Sequence, residues 1–350
     1  MNVLMVGVDK NRNGGMWTVA ENFINSKEYN QAINLTYIAT STGGSVVRRI
    51  LKMLQGYVLI IKHLLFSKID IVHIHMAEKG SVFRKAIVIM FGKLFHKRVI
   101  VQMHAGPIVS WYSSCRSLTQ FLVRKIFNSP DVMLVLGEYW KKQLTELVPE
   151  KKIKVLYNGA ECPSKNLYNV QGKGIVYLGL IKKTKGTFDL VDAIKLINDR
   201  LDHKYKVYLC GLDEEGKINE YIAERGLTDR IILKGWINKE ERLALFQNTR
   251  MVILPSYFEA LSMTVIEAMC YGIPVITTNI STMPELLGDR HLLIEPGDVE
   301  MLSEKILQLS DDSVLCKKLS SREFDRALTT FSINNVSKKL CEIYSSISVK

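Results

Sequence analysis

Two glutamates eight residues apart, Glu259 and Glu267, bracket a run of small and apolar residues. The pattern places Glu259 in the loop after a strand and Glu267 about two turns into the following helix. Backbone amides at the start of that helix would meet a phosphate group. These amides belong to Leu261, Ser262, Met263, Thr264 and Val265. Because carboxylates accept hydrogen bonds from sugar hydroxyls, the segment predicts a nucleotide-sugar site.

A basic loop between a predicted strand and helix offers the cations that such a ligand needs. Lys182, Lys183 and Lys185 lie between Gly179 and Gly186. Three lysines at the carboxyl edge of a parallel sheet are suited to neutralising a diphosphate. A solvated lysine loop is the alternative interpretation.

A glycine pair, Gly14 and Gly15, follows the first predicted strand and precedes a helical pattern that begins near Trp17. Glycine lets the backbone approach a ligand closely, although a plain tight turn explains the pair equally well. The G-x-G-x-x-G fingerprint is missing from this position, which disfavours a dinucleotide-dependent dehydrogenase.

One histidine, His104, directly follows a predicted strand and precedes a Gly-Pro turn, so we expect it to face a ligand cleft. A purely structural histidine is the alternative. His73 and His75 alternate along another strand as a metal pair does, but the sequence offers no third ligand nearby. The sequence also contains no Asp-x-Asp. We therefore expect chemistry without a metal.

Short β-rich runs alternate with helix-length segments along the whole chain, which predicts an α/β fold with parallel sheets. The runs are 3–8, 35–39, 70–75, 99–103 and 132–136, then 174–179, 206–211, 230–234, 251–255 and 274–278. This alternation predicts two Rossmann-like domains in tandem, over 1–165 and 166–330. Residues 157–173 have the composition of a linker. We expect a ligand cleft between the domains. The last segment, 331–350, is predicted as a helix that returns to the N-terminal domain.

The overall composition is that of a globular protein, with 47% hydrophobic and 23% charged residues in 350. Its nearly apolar stretches are much shorter than the roughly 18 residues of a membrane span. No basic leader precedes the first strand, so we expect a cytoplasmic protein. The six cysteines lack C-x-x-C spacing, which favours reduced, mostly buried thiols.

The positive charge is confined to the first half of the chain. Residues 1–165 hold 23 Lys and Arg against 10 Asp and Glu, whereas the remainder holds 24 against 25. Basic and apolar residues mix over 46–68, as in an amphipathic helix on an anionic lipid surface. A solvated basic face is the alternative. Nucleic-acid binding is disfavoured because no recognised nucleic-acid-binding motif is present.

Taken together, these motifs resemble those of the retaining glycosyltransferases of family 4. The resemblance rests on the glutamates eight apart, the sequence Glu-Ala-Met-Cys-Tyr-Gly-Ile-Pro-Val from Glu267, the Gly-x-x-x-x-x-Lys-Gly loop and the N-terminal Gly-Gly. In order and spacing it covers nearly the whole chain. It implies the GT-B fold, two Rossmann-like domains whose parallel sheets face each other across a cleft. The implied donor is a nucleotide diphosphate sugar, linked to UDP or GDP, with no further cofactor.

The resemblance assigns roles by matching position. Glu259 would hold the donor sugar's hydroxyls near C3 and C4, Glu267 the ribose hydroxyls, and Lys185 the diphosphate. His104 would line the sugar's side of the cleft, and Gly15 would approach the phosphate and the reacting carbon. The lysine loop, the amides named above and Gly14 belong to the implied donor site as well. Trp236 and Ile237 complete it, next to the base of the nucleotide.

The chain departs from the family pattern at three positions. Leu180 stands where the family usually has an arginine that binds the diphosphate; Lys182 or Lys183 would have to replace its charge without its bidentate geometry. Ala260 and Ser262 stand where glycines are usual.

The resemblance implies a retaining enzyme, and we expect it to transfer a hexose-type sugar to a lipid-linked, lipopolysaccharide or capsule-type glycan. We expect it to act at the inner face of the plasma membrane, bound to the anionic surface by its N-terminal domain. Two alternatives remain at this point. One is a non-catalytic subunit that only binds nucleotide sugars, and the other is a soluble epimerase or glucan synthase of the same architecture.

Overall fold

The computed structural model describes residues 1–11, 15–104, 106 and 108–348. They form two compact units. Unit 1 comprises Met1–Gly159 together with the C-terminal segment from Ile333 onward, and unit 2 comprises Ala160–Ser332. The chain thus changes unit at Gly159 rather than at residue 165, and its last helix belongs to unit 1.

Unit 1 is built on a six-stranded parallel sheet with the strand order β2-β1-β3-β4-β5-β6. The strands are β1 (Asn2–Gly7), β2 (Asn34–Ala39), β3 (Ile71–Met76), β4 (Arg98–Met103), β5 (Val132–Val135) and β6 (Ile153–Val155). The helices are α1 (Gly15–Asn25), α2 (Lys27–Ala32), α3 (Val46–Phe66), α4 (Gly80–Leu94), α5 (Ile108–Ser113), α6 (Ser117–Asn128) and α7 (Glu138–Leu144). Every residue of β3 is buried, as expected for a central strand covered on both faces.

Unit 2 repeats this plan with the strand order β12-β11-β10-β7-β8-β9, all parallel. Its strands are β7 (Gly174–Leu178), β8 (Lys206–Cys210), β9 (Ile231–Gly235), β10 (Thr249–Leu254), β11 (Val275–Thr278) and β12 (Leu293–Ile294). Its helices are α8 (Thr187–Ile197), α9 (Ile218–Glu224), α10 (Lys239–Phe246), α11 (Met263–Cys270), α12 (Met283–Leu287), α13 (Val299–Asp311) and α14 (Ser313–Arg326). The predicted α/β class with two Rossmann-like units is confirmed.

A π-helical turn, Ala327–Phe331, leads from unit 2 into the last helix, α15 (Ile333–Ser348). Helix α15 packs against α1 and α2 of unit 1. Tyr344 on α15 is fully buried and its hydroxyl lies 3.1 Å from that of Tyr29 on α2. Burial of these rings joins the C-terminal helix to α2 of unit 1.

Two of the cysteines do not match the sequence-based expectation. Cys162 and Cys270 form a disulfide within unit 2, so the expectation of reduced thiols is wrong for this pair. Cys115, Cys210, Cys316 and Cys341 are free. The bond links the segment that enters unit 2 to the last residue of α11.

The predicted amphipathic helix over 46–68 is present as α3, with Tyr57, Ile60 and Leu64 buried. Most of its other apolar side chains are exposed, Val58 by 66% and Phe66 by 80%. Among the described residues, every helix falls short of the length or the hydropathy that a bilayer crossing requires.

Candidate active site

Two loops of unit 2 meet at the carboxyl ends of the adjacent strands β7 and β10. The first ends in a 3₁₀ turn, Lys183–Lys185, and the second leads into α11. The backbone N–H of Tyr257 donates a hydrogen bond to the Thr184 carbonyl oxygen at 3.1 Å. Gly186 closes the first loop at φ +67°, and a Cβ there would overlap the Pro255 carbonyl oxygen. The close approach of the loops therefore depends on glycine at this position.

The contact between these loops brings Lys185 and Glu259 together. Lys185 Nζ lies 2.6 Å from Glu259 Oε1, and the two side chains are only 24% and 13% exposed. The Ser256 hydroxyl donates to the same carboxylate oxygen at 2.9 Å. A cation and a carboxylate held side by side offer one group for an anion and one for hydroxyls.

The loop that carries Glu259 is fixed from the neighbouring strand and its loop. Ser281 and Thr282 donate their side-chain hydroxyls to the carbonyl oxygens of Glu259 and Ala260, at 2.5 and 2.8 Å. The Thr278 hydroxyl donates to the Ser256 carbonyl oxygen at 2.5 Å. These bonds hold the carboxylate in place before any ligand arrives.

Helix α11 starts directly after this loop. Ser262 is its N-cap and accepts a hydrogen bond from the Val265 N–H at 3.3 Å, and the Thr264 hydroxyl donates to the Leu178 carbonyl oxygen at 3.1 Å. Because the helix begins at Met263, Glu267 lies in its second turn, nearer the helix start than predicted. The predicted amides from Leu261 to Val265 therefore do surround a helix N-terminus, where an anion is favoured.

Glu267 is held by a cation from a second helix. Arg242 Nη1 on α10 lies 3.1 Å from Glu267 Oε2, with side-chain exposures of 26% and 14%. Burial raises the pKa of the Glu267 carboxyl above its ordinary value, while Arg242 and, after it, Lys239 lower it. The glutamate is therefore a desolvated acceptor whose charge depends on neighbouring cations.

The remaining residues predicted at this edge are placed differently. Lys182 Nζ pairs with Glu214 Oε2 at 3.0 Å, and the backbone N–H of the exposed Lys183 donates to Glu215 Oε1 at 2.8 Å. Trp236 is 52% exposed and follows β9, the edge strand of the sheet, with Ile237 beside it. The structure thus unites Lys185 and Glu259, but directs Lys182 towards the loop after β8.

The predicted residues of unit 1 lie at the carboxyl edge of its own sheet. His104 directly follows β4, and its Nε2 lies 2.7 Å from Nδ1 of His75 on β3. Desolvation lowers the pKa of His104 to about 3. Gly15 is the exposed first residue of α1, whereas Gly14 lies outside the described residues. In the part of the chain that the structure describes, no group of three or more His, Cys, Asp or Glu is arranged to hold a metal.

Sequence reasoning did not foresee three contacts that shape these sites, and it considered His75 only as a possible metal ligand. Arg242, Ser256 and His75 each contact a predicted site residue. The capping box of Asn238 and Glu241 marks the start of α10 and was a readable signal, but it does not tell which residue of that helix reaches α11.

Two family models together match nearly the whole chain. Residues 25–162 match the model described as Glycosyltransferase Family 4, and residues 160–326 match Glycosyl transferases group 1. The chain belongs to glycosyltransferase family 4. The two matches meet where this glycosyltransferase passes from unit 1 to unit 2.

Curated relatives of the glycosyltransferase are distant in sequence. An uncharacterized 41.2 kDa protein in the cps region of Klebsiella pneumoniae is 24% identical, over 95% of this chain and 97% of its own length. The O-antigen chain mannosyltransferase B of Escherichia coli is 31% identical, but the match spans only 44% of this chain and 42% of that enzyme.

The same architecture occurs in solved structures. The Anabaena protein Alr3699/HepE in complex with UDP superposes with a TM-score of 0.76 over 99% of this chain and all of that chain, at 14% identity. This likeness establishes the GT-B fold.

Proposed function

We propose that this glycosyltransferase is a retaining enzyme that moves a hexose-type sugar from a UDP- or GDP-linked donor to a lipid-linked, lipopolysaccharide or capsule-type glycan. The observation that carries the proposal is the pairing of Lys185 with Glu259 beside the N-terminus of α11. The UDP complex of the Anabaena protein supports a nucleotide-linked donor, and the O-antigen mannosyltransferase supports a glycan acceptor.

In this proposal the donor displaces the internal ion pair. The diphosphate takes Lys185 Nζ and the first amides of α11, while sugar hydroxyls donate to the Glu259 carboxylate. Glu267 accepts the ribose hydroxyls. A cation and amides that are already oriented stabilise the charge that develops on the leaving diphosphate, and such stabilisation often accelerates group transfer more than any other effect.

The proposed transfer is a front-face displacement. The bond between the anomeric carbon and the β-phosphate oxygen breaks, and a bond to the acceptor hydroxyl oxygen forms on the same face. The acceptor's proton passes to the departing phosphate oxygen. We propose that Lys185 and the helix N-terminus meet the charge without a metal ion, and that His104 lines the sugar.

The donor site is tested by ligand-induced thermal shifts with UDP, GDP, ADP and their sugar conjugates. Glu267→Gln removes one charge-assisted acceptor, worth about 1.5–3 kcal/mol, so we expect roughly 10- to 150-fold weaker donor binding. Glu220→Gln is the matched control because Glu220 is exposed on α9. Retention is read from the anomeric coupling in the NMR spectrum of the product. An inverted product, or equal donor affinity in both variants, contradicts the proposal.

We further propose that unit 1 binds the anionic inner face of the plasma membrane. Helices α3 and α6 carry exposed apolar side chains beside basic residues: Leu51, Val58 and Leu118 are 61%, 66% and 71% exposed. Lys125 lies 4.5 Å from the centre of the exposed Phe121 ring. Exposed apolar side chains among lysines and arginines suit a peripheral lipid contact.

The membrane contact is tested by vesicle co-sedimentation at low salt. Leu51→Glu with Val58→Glu adds two charges to an exposed helix face, so we expect at least about tenfold weaker binding to anionic vesicles. Leu196→Glu is the matched control, since Leu196 is 58% exposed on unit 2. Equal binding of the wild type to anionic and neutral vesicles would refute this part of the proposal.

A further inference from the structure

Three histidines of unit 1 form a stacked column, in which His73 and His75 are fully buried and His104 lies at the carboxyl edge of the sheet. The His73 and His75 rings stack with centroids 5.0 Å apart and planes 8° apart, and His75 and His104 stack at 4.9 Å and 19°. His75 Nδ1 and His104 Nε2 are 2.7 Å apart, a hydrogen bond in which one nitrogen donates. At the other end, His73 Nδ1 lies 2.6 Å from the Tyr344 hydroxyl.

The surroundings of the column keep all three imidazoles neutral. Desolvation lowers the pKa of His73 and His104 to about 3, and His104 lowers that of His73 further. Desolvation is also the largest cause that lowers the pKa of His75. His104, His73 and the buried Lys85 lower the pKa of His75 further, in that order. Lys85 approaches from α4, where its ammonium donates to the Thr40 hydroxyl at 2.6 Å. Each ring therefore carries one proton at neutral pH.

Other polar groups that face the column come from α15, α2 and β4. The hydroxyl of Tyr344, which contacts His73, lies 3.1 Å from the hydroxyl of Tyr29. Gln102 on β4 is fully buried beside His73. These groups are uncharged, so Lys85 is the cation that acts on His75. It opposes a second proton on that ring.

The burial of His75 decides which nitrogen donates. Among the described residues, no hydrogen-bond partner lies near His75 Nε2. If His104 donated to His75 Nδ1, the His75 proton would lie on Nε2 as a buried N–H without an acceptor, an arrangement that is rare in proteins. If His75 Nδ1–H donates instead, Nε2 is left as a bare acceptor, which costs less. His104 then carries its own proton on Nδ1.

We propose that His75 is a positioning residue that holds His104 as the neutral Nδ1–H tautomer, so that His104 presents a hydrogen-bond donor to an oxygen of the sugar donor. The step from tautomer to activity rests on the proposed function, in which His104 lines the sugar. The tautomer itself does not depend on any ligand.

The tautomer is read from the ¹⁵N spectrum of the full-length protein labelled at its seven histidines. Long-range ¹H–¹⁵N correlations separate protonated from bare ring nitrogens, and His104→Asn identifies the signals of His104. We expect a protonated Nδ1 and a bare Nε2 at pH 7. A protonated Nε2, or a doubly protonated ring, overturns the proposal whether or not sugar transfer is detected.

Two nearly isosteric variants test the link to activity. His75→Asn places an amide N–H where Nδ1–H lies, so it should preserve the His104 tautomer and keep kcat within a few-fold of the wild type. His75→Asp places an acceptor there, so it should draw the His104 proton to Nε2 or charge the ring. We expect kcat to fall at least about tenfold with a changed pH profile and little change in nucleotide affinity. Equal losses in both variants would assign His75 a merely structural role.

Discussion

Removing Arg242 should show how much the ion pair with Glu267 contributes to the unfolding free energy of unit 2. In Arg242→Met the stem of the side chain remains, but the cation 3.1 Å from the carboxylate is lost. Breaking one partner of a fully buried ion pair costs about 3–5 kcal/mol. Arg242 is 26% exposed and Lys239 also acts on Glu267, so we expect a smaller loss of unfolding free energy, about 1–3 kcal/mol.

The loss of unfolding free energy caused by Arg242→Met should increase as pH rises. Burial already raises the folded-state pKa of Glu267, and without Arg242 that pKa rises further. A carboxyl with a raised folded-state pKa binds its proton more tightly in the folded protein, so its stability contribution falls as pH rises through that pKa. Where the carboxyl is protonated in both proteins, Arg242→Met costs little. Above the variant's folded-state pKa the full loss appears.

A double-mutant cycle separates this pairing from lost packing. Thermal unfolding is followed for the wild type, Arg242→Met, Glu267→Gln and the double variant, at about pH 5 and about pH 8. With Gln at 267, Arg242→Met should cost less than about 1 kcal/mol, because no carboxylate is left unpaired. If Arg242→Met costs the same in both backgrounds, or the same at both pH values, the ion pair is not what stabilises this helix contact.

Three other perturbations test the disulfide, a buried carboxyl and the glycine between the two loops of unit 2. Peptide mapping without reductant should recover the peptides of Cys162 and Cys270 joined, and replacing both by Ser should lower the unfolding free energy by about 2–4 kcal/mol. Burial raises the pKa of Glu323 to about 8 from 4.5, so wild-type stability should fall as pH rises between these values, and unfolding of Glu323→Gln should lack that decline. Gly186→Ala should lower the melting temperature and weaken donor binding, since a Cβ at φ +67° overlaps the Pro255 carbonyl; an unchanged melting temperature would show that the two loops can separate freely.

The sequence located most of the strands because buried parallel strands are continuous apolar runs. Each of the ten predicted runs overlaps a strand, with ends that differ by two residues at most. The two strands that were not predicted, Ile153–Val155 and Leu293–Ile294, are edge strands of three and two residues. Runs this short carry no periodicity that distinguishes them from loops.

The side-chain pairs could not be derived in the same way. Lys185 and Glu259 were both expected at the site, but their contact spans 74 residues and arises because β7 and β10 are neighbours in the sheet. The disulfide spans 108 residues, and nothing in the local spacing of its cysteines marks it. Local patterns specify elements, whereas such pairs depend on strand order and on helix rotation, which local patterns leave open.

The internal ion pair implies how the proposed donor site selects its ligand. Since Lys185 is already paired with Glu259, a diphosphate that takes the lysine deprives the carboxylate of its cation. A half-satisfied buried carboxylate is costly unless new donors replace the lost partner. The Ser256 hydroxyl supplies one hydrogen bond, and in the proposed complex the sugar hydroxyls would supply the others. Under the proposed function, a nucleoside diphosphate without its sugar would therefore gain less from this site than the complete donor, and the arrangement would favour the substrate over the nucleotide that is left after transfer.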